Sequence, residues 1–439
     1  MKLEKASDFL TPQAVRATTA KVFEEAQNGN SYFEMHLENL PKLADYVTQV
    51  IRENYPYLKI PYHSRWGHFR AKNPKRLEAL FQKWSSLDAF EKARRQIDLV
   101  IPSVLLDAGA GAEWKFDEAK AKNARKNLSI SVNQLNVGNP EPKLNSSSSN
   151  VESDNMLKGV ESPDPIGRSE GLGIASFYMF LDGKFSLEKN QDPLRSDAKA
   201  LLRIQSQDIE EGFQVSPTNP LIGVPGRAGL VRALGEAILS QPKYFVGQRP
   251  GGLVDYFKNQ FGMKLPAEEI LKAILYGLGS IWPGRLVLDG VNLGDVWEHP
   301  SQGKIAFHKL SQWLTYSLLE PLESAGFEIT QMDQLTGLAE YRNGGLFVDG
   351  GVLKLRDESL LEIAHQPGDA LIIEWRALTV QLLDKIAPLV REELGFSEKE
   401  FPLAKVLEGG TWWAGRKLAQ QRSPKSEPPL QILSDGTVF

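Results

Sequence analysis

Apolar residues recur at helical spacing through most of the chain, and sustained apolar–polar alternation is rare. Thr11-Pro12 supplies a capping residue and a proline for a first turn, and Val15, Val22 and Phe23 then share one side of a helix over 13–27. Leu37, Leu40, Leu43, Ala44, Val47, Val50 and Ile51 form the buried face predicted for a helix over 33–55, kinked or split at Pro41. Two charged helices are predicted within 72–95, joined near Ser85-Ser86, followed by an apolar, buried run over 97–106. Further helices are predicted over 172–180, 197–204, 225–239 and 266–276. The stretch 304–351 opens as a long helix with Ile305, Leu310, Leu314, Leu318 and Leu322 along one stripe. Lys309, Gln312, Trp313 and Tyr316 share another face. Its second half reads as a loop, in which Glu340-Tyr341-Arg342-Asn343 precede the paired Gly344-Gly345 at a bend that aims polar groups into a cleft. The best strand candidate is 347–355; 370–394 and 406–420 read as the last helices, and 429–439 as a short strand and turn. A mainly α, multi-helical fold with a small β ribbon is the expectation.

One stretch breaks the pattern. Residues 138–167 turn to Asn, Ser, Pro and Gly, with Ser146 to Ser149 in a row, and lack the apolar content to pack. They read as a disordered or extended insertion, either a linker or a loop within one domain. On this reading an N-terminal helical part, 1–137, and a main helical part, 168–439, complete one shared site.

Composition narrows the chemistry. The 439 residues carry 51 Lys and Arg against 55 Asp and Glu, a formal charge of −4, so no basic excess drives binding to nucleic acid. Cysteine is absent, which excludes disulfides, thiolate metal sites and a cysteine nucleophile. The N-terminus MKLEKASDFLTPQ has no apolar core of the kind a signal peptide needs, and no apolar run approaches bilayer length. A cytoplasmic protein that avoids membranes is expected. The six histidines fall in no ligand pattern; His63 and His68, five apart, do not share a helical face, so no metal site and no cofactor are predicted. The Gly109-Ala110-Gly111 spacing is not a dinucleotide fingerprint, and no Walker loop, nucleophile elbow or kinase signature is present. What remains is chemistry by dispersed carboxylates, lysine and arginine. Asp107, closing an apolar run, needs partners at the edge of the core. His63, Arg65 and His68 suit either a polar ligand or interdomain packing.

Longer strings carry a resemblance. His63-Ser64-Arg65-Trp66, LLDAGAG at 105–111, RSEGL at 168–172, NPL at 219–221, IWPGR at 281–285 and FHKLSQWLTYSLLEPLE at 307–323 are joined by EYRNGG at 340–345, EWRALTV at 374–380, LEGGTW at 407–412 and the closing SDGTVF. Over nearly its whole length the chain resembles the uracil-catabolism protein four family of fungi and bacteria, a domain of unknown function in a pathway that opens the uracil ring through ribosylated intermediates such as ribosylurea. The insertion before Arg168 departs from the family's shorter connection.

A more distant resemblance is to the queuosine-salvage nucleosidases, which have a DNA-glycosylase-like helical fold. Asp107 with Trp114, Lys309 with Gln312, Glu340-Tyr341-Arg342 and Glu374-Trp375-Arg376 follow the order of their motifs, with Glu340 where those enzymes have aspartate. The resemblance implies an N-glycosidase acting on a small ribosylated substrate, with Glu340, Lys309 and Asp107 catalytic and Arg342, Arg376, Glu374, Trp114, Trp313, His63 and Arg65 around the substrate. Glu340 would stabilise the oxocarbenium-like state or activate water, Lys309 would orient Glu340, and Asp107 would hold sugar hydroxyls or the leaving group. A non-catalytic partner that binds a pathway intermediate or enzyme is the alternative; a ring-opening amidohydrolase is disfavoured because no ligand set for a metal is visible. The oligomeric state is left open.

Overall fold

Helices dominate the computed structural model, which describes residues 3–107, 109–111, 113–125, 164–282 and 286–433. The principal elements, in order, are α1 (Pro12–Gln27), β1 (Phe33–Met35), α2 (Leu40–Asn54), α3 (Arg65–Arg70), α4 (Lys75–Lys83) and α5 (Ala89–Leu105). Then come α6 (Arg168–Leu181), α7 (Val224–Ser240), α8 (Ala267–Gly277), β2 (Val296–His299), β3 (Gly303–Ala306) and α9 (Lys309–Ser324). The chain continues through α10 (Tyr341–Asp349), β4 (Leu353–Leu355), α11 (Ala370–Leu394) and α12 (Trp412–Arg422). The β structure among the described residues consists of two-stranded pairs, so the mainly α expectation holds.

One apolar cluster runs from Leu10 to Leu430 and includes residues of both the N-terminal helices and the C-terminal ones. Its centre is α5, where residues 97–106 are almost wholly buried, against α9 on one side and α6 on the other. Long α11 packs on α1 and α2, which carries the last third of the chain back onto the first. A smaller cluster joins Val15 and Val22 of α1 to Ile305 of β3 and Ile373 and Ala377 of α11.

Several expected boundaries move, each for a local reason. The helix expected over 33–55 begins only at Leu40, because Pro41 fits a first turn, where its missing N–H is not needed. Upstream, Phe33–Met35 pairs antiparallel with Leu353–Leu355. The helix expected from Lys304 starts at Lys309: residues 303–306 form β3, paired with β2, and His308 turns the chain in a left-handed conformation at φ 52°. The expected loop and strand over 340–355 is largely helix. Glu340 caps α10 with its own carboxylate, and only 353–355 is extended. Gly344 and Gly345 sit inside that helix, not at a bend. A Cβ on Gly344 would lie 2.7 Å from the Trp375 indole, so the missing side chain lets α10 and α11 approach. The last helix is preceded by a wide turn over Leu407–Thr411, in which the Trp412 N–H donates to the Leu407 carbonyl five residues back. Gln431–Ile432 pairs parallel with Ala364–His365, as a terminal strand requires, while 434–439 lie outside the described residues. Most of the expected insertion, 138–163, also lies outside them; Ile166–Gly167 pairs with Lys115–Phe116.

Candidate functional site

Five separate segments bring charged side chains to the N-terminal end of α9. The first is α3. Its start is pinned to α9 by two bonds, Arg65 N–H to Ser317 Oγ at 3.0 Å and Trp66 Nε1 to the Ser317 carbonyl at 2.8 Å. Arg65, wholly buried, donates to Ser103 Oγ at 2.7 Å, to the Ser103 carbonyl at 3.0 Å and to His68 Nδ1 at 2.9 Å. It also reaches Asp107 Oδ2 at 3.0 Å, and its guanidinium lies 5.6 Å from the Trp313 ring centroid. Asp107 follows the last turn of α5, and its side chain is 6% exposed. One of its oxygens is therefore neutralised by Arg65, while Oδ1 is buried with no hydrogen-bond partner among the described residues.

Lys309 is the first residue of α9. Its backbone N–H donates to Asp295 Oδ2 at 3.0 Å, and the same carboxylate takes both terminal nitrogens of Arg376, at 2.9 and 2.8 Å. This bidentate pair fixes where α9 begins. The Lys309 ammonium, by contrast, has no carboxylate within 4.0 Å among the described residues. Burial pulls its pKa below the usual lysine value; the charges of Glu340, then Asp107 and more weakly Asp295 oppose that shift, and Arg376 adds to it, so three carboxylates act on one cation.

Glu340 accepts from Arg342 N at 2.7 Å and Asn343 N at 2.6 Å, one amide for each carboxylate oxygen. Its orientation is thus set by the helix it caps. Next to it, burial raises the Tyr341 phenol, with Arg342 lowering it and Glu340 raising it further. Asn343 is locked by Thr411 Oγ1, 2.8 Å from its Oδ1, so the wide turn before α12 holds α10 in place.

Other predicted residues lie elsewhere or are spoken for. Arg342 donates to the Ser426 carbonyl at 2.9 Å. Glu374 projects from α11 to Ser31 Oγ at 2.7 Å and Tyr32 N at 2.9 Å, with its other oxygen 3.4 Å from His299 Nε2, whereas Arg376 takes Asp295. Trp114 is 1% exposed and donates to the Phe213 carbonyl at 2.9 Å, a packed position. His63 faces Glu408 at 2.8 Å, and Glu408 also accepts from Tyr55 at 3.1 Å. Trp313 stays at the cluster: its ring centroid is 5.6 Å from that of His68, and its buried Nε1 has no partner among the described residues.

Three further residues, to which the sequence assigns no site role, matter here. His68 accepts from Arg65, and burial, with the repulsion of Arg65 behind it, lowers its imidazole to about 4. Arg227 of α7 donates to the Gly109 carbonyl at 2.9 Å and to the Leu106 carbonyl, bracing the turn that carries Asp107; burial lowers its guanidinium to about 10. Gln312, 0% exposed, has neither amide atom bonded among the described residues. Each buried group left so costs about 1–3 kcal/mol. The helical face shared by Lys309, Gln312 and Trp313 signals their proximity; the missing partners are visible only in three dimensions. Among the described residues no group of three or more His, Asp or Glu is placed to hold a metal ion, and no helix is long and apolar enough to cross a membrane.

Known proteins are similar to this chain over nearly its whole length. The family model described as "Protein of unknown function (DUF1688)" matches residues 8–139 and 152–439. Uracil catabolism protein 4 of Lachancea kluyveri is 35% identical over 476 residues, covering 99% of this chain and 98% of that protein. Protein urg3 of Schizosaccharomyces pombe is 38% identical over 451 residues, covering 100% of both.

Proposed function

This chain belongs to the family described as Protein of unknown function (DUF1688), and on that footing we propose that it serves uracil catabolism as an N-glycosidase hydrolysing a ribosylated intermediate such as ribosylurea. The carrying observation is a half-buried lysine, Lys309, without an ion-pair partner among the described residues, on which carboxylates from distant segments act, Glu340 first, then Asp107 and Asp295. Cleavage breaks the bond between the anomeric carbon and nitrogen; the oxygen of water joins the carbon and a proton goes to the leaving nitrogen. Positive charge therefore grows on the sugar and negative charge on the leaving group. Glu340, oriented by two amides, stabilises the first or takes the proton of the attacking water. Lys309, on which the charge of Glu340 acts, meets the negative end. The unpartnered oxygen of Asp107 accepts from sugar hydroxyls or from the leaving group.

The test is incubation of the purified protein with ribosylurea, uridine and UMP, reading free ribose or ribose phosphate. Release from ribosylurea is expected, with a loss of about 100-fold or more in kcat for Glu340→Gln. Glutamine keeps one acceptor for the α10 amides, so the cap is weakened rather than deleted. One feature favours a second reading, a non-catalytic binder: both Glu340 oxygens already serve their own helix. That reading requires tight binding of one compound with no release from any.

A further inference from the structure

Gln312 is a carboxamide in the wrong place for a structural residue. It is 0% exposed, and neither Oε1 nor Nε2 has a hydrogen-bond partner among the described residues. Its position is fixed by its neighbours on α9. One turn towards the C-terminus, Tyr316 donates to the Thr336 carbonyl at 2.7 Å; one turn towards the N-terminus, Lys309 feels Glu340. Gln312 lies between those contacts, so it faces the segment that runs from Thr336 to Glu340. Beside it Trp313 Nε1, and across the cluster Asp107 Oδ1, are also buried and unpartnered. Four polar atoms without partners, at one end of one helix, are not what a packed core tolerates.

From this we infer that Gln312 is the specificity-determining residue of the site, reading a planar amide or ureide edge in which an N–H stands next to a C=O. A carboxamide offers a donor and an acceptor side by side in one plane, and its match is a ligand edge with the same pair reversed. The two nearby arginines are already engaged, Arg65 by Asp107 and Arg376 by Asp295, so neither offers a free fork to a carboxylate or phosphate here. Trp313 supplies an indole N–H for a further acceptor and an aromatic edge beside the same plane. The inference rests on the N-glycosidase reading for the sugar half of the ligand, but the edge recognition is tested without turnover.

Equilibrium binding of ribosylurea, uridine, 3-methyluridine and ribose to the full chain and to Gln312→Leu separates the two. Leucine matches glutamine in size and removes the unpaired amide, so its melting temperature is expected to equal or exceed that of the unsubstituted protein. Ribosylurea and uridine are expected to bind Gln312→Leu about 10- to 100-fold more weakly, while ribose is unaffected. Methylation of the uracil N–H is expected to weaken binding to the unsubstituted protein by a similar factor and to change nothing further in Gln312→Leu. Equal affinity of the two proteins for ribosylurea, or an equal loss for ribose, overturns the inference. A fall in melting temperature without selective loss of the ureide ligands returns Gln312 to a packing role. If Gln312→Leu does not fold, the comparison of uridine with 3-methyluridine on the unsubstituted protein decides, with equal affinities overturning the inference. Ribose release that ignores Gln312→Leu keeps the N-glycosidase and removes the edge recognition; edge-selective binding with no ribose release does the reverse.

Discussion

Replacing His68 by asparagine removes a titrating group from the middle of the cluster while leaving an oxygen near the place of Nδ1 to accept from Arg65. Burial comes first in lowering the imidazole from 6.5 to about 4, and Arg65 second; Asp107 and Glu170 pull the other way, and His63 adds a little repulsion. In the unfolded chain the same imidazole protonates near 6.5. Between pH 6.5 and 4 the unfolded state therefore binds more protons than the folded one, and stability falls as pH falls. The contribution is complete above pH 6.5 and is spent by pH 4. One group gives a slope of about 1.4 kcal/mol per pH unit, so an interval of about 2.5 units amounts to about 3 kcal/mol. Urea unfolding of the unsubstituted protein and His68→Asn at pH 7.5, 5.5 and 4.5 reads this directly. Carboxylates that titrate in both proteins cancel when one pH loss is subtracted from the other. Between pH 7.5 and 4.5 the unsubstituted protein is expected to lose about 2–3 kcal/mol more than His68→Asn. Equal losses would refute the buried neutral imidazole and with it the account of how Arg65 is shared between His68 and Asp107.

Two further expectations concern the frame of the site. Arg376→Lys breaks the two-pronged contact with Asp295 that holds the first turn of α9; a loss of about 1–3 kcal/mol in urea unfolding is expected, and an unchanged midpoint would show that α9 starts without it. Gly415→Ala places a methyl group 2.1 Å from the Arg342 carbonyl, where neither backbone can yield; α10 and α12 must part, at a cost of about 1–3 kcal/mol, and a thermal melt within a degree of the unsubstituted protein would contradict that packing.

The helical body was legible wherever one face is apolar: α1, the break between α4 and α5 near Ser85-Ser86, α8 and the 25-residue α11 all follow from periodicity and capping. Legibility failed where a side chain or a glycine answers to a distant partner. Gly344-Gly345 looks like a turn until the Trp375 indole is seen against it. Glu340 stands out in the sequence as a polar group before paired glycines, yet its spacing does not reveal that its carboxylate starts a helix. Likewise Asp295, in a short stretch of Gly and Asn, carries no signal that it will clamp Arg376, 81 positions away. The grouping of Lys309, Gln312 and Trp313 on one face was within reach because it needs only helical geometry; the ion pair of Arg65 with Asp107 was not, because nothing local encodes it.

The wide turn at Leu407–Thr411 sets a limit on how chains of this kind can vary in length. It contains one residue more than an ordinary helical turn, as the bond from Trp412 back to Leu407 shows. The wide turn takes up that residue within one revolution, so the helix beyond it keeps its facing; a residue gained or lost after the turn, in the regular helix, would rotate everything beyond it by about 100°. Gly415 would swing away from the Arg342 carbonyl, and a residue with a side chain would arrive where only a glycine fits. Uncompensated insertions and deletions between 412 and 415 are therefore expected to break this fit, whereas the family match already breaks at 140–151. Loss of a single codon between Trp412 and Gly415 is expected to cost the fit of α12 on α10.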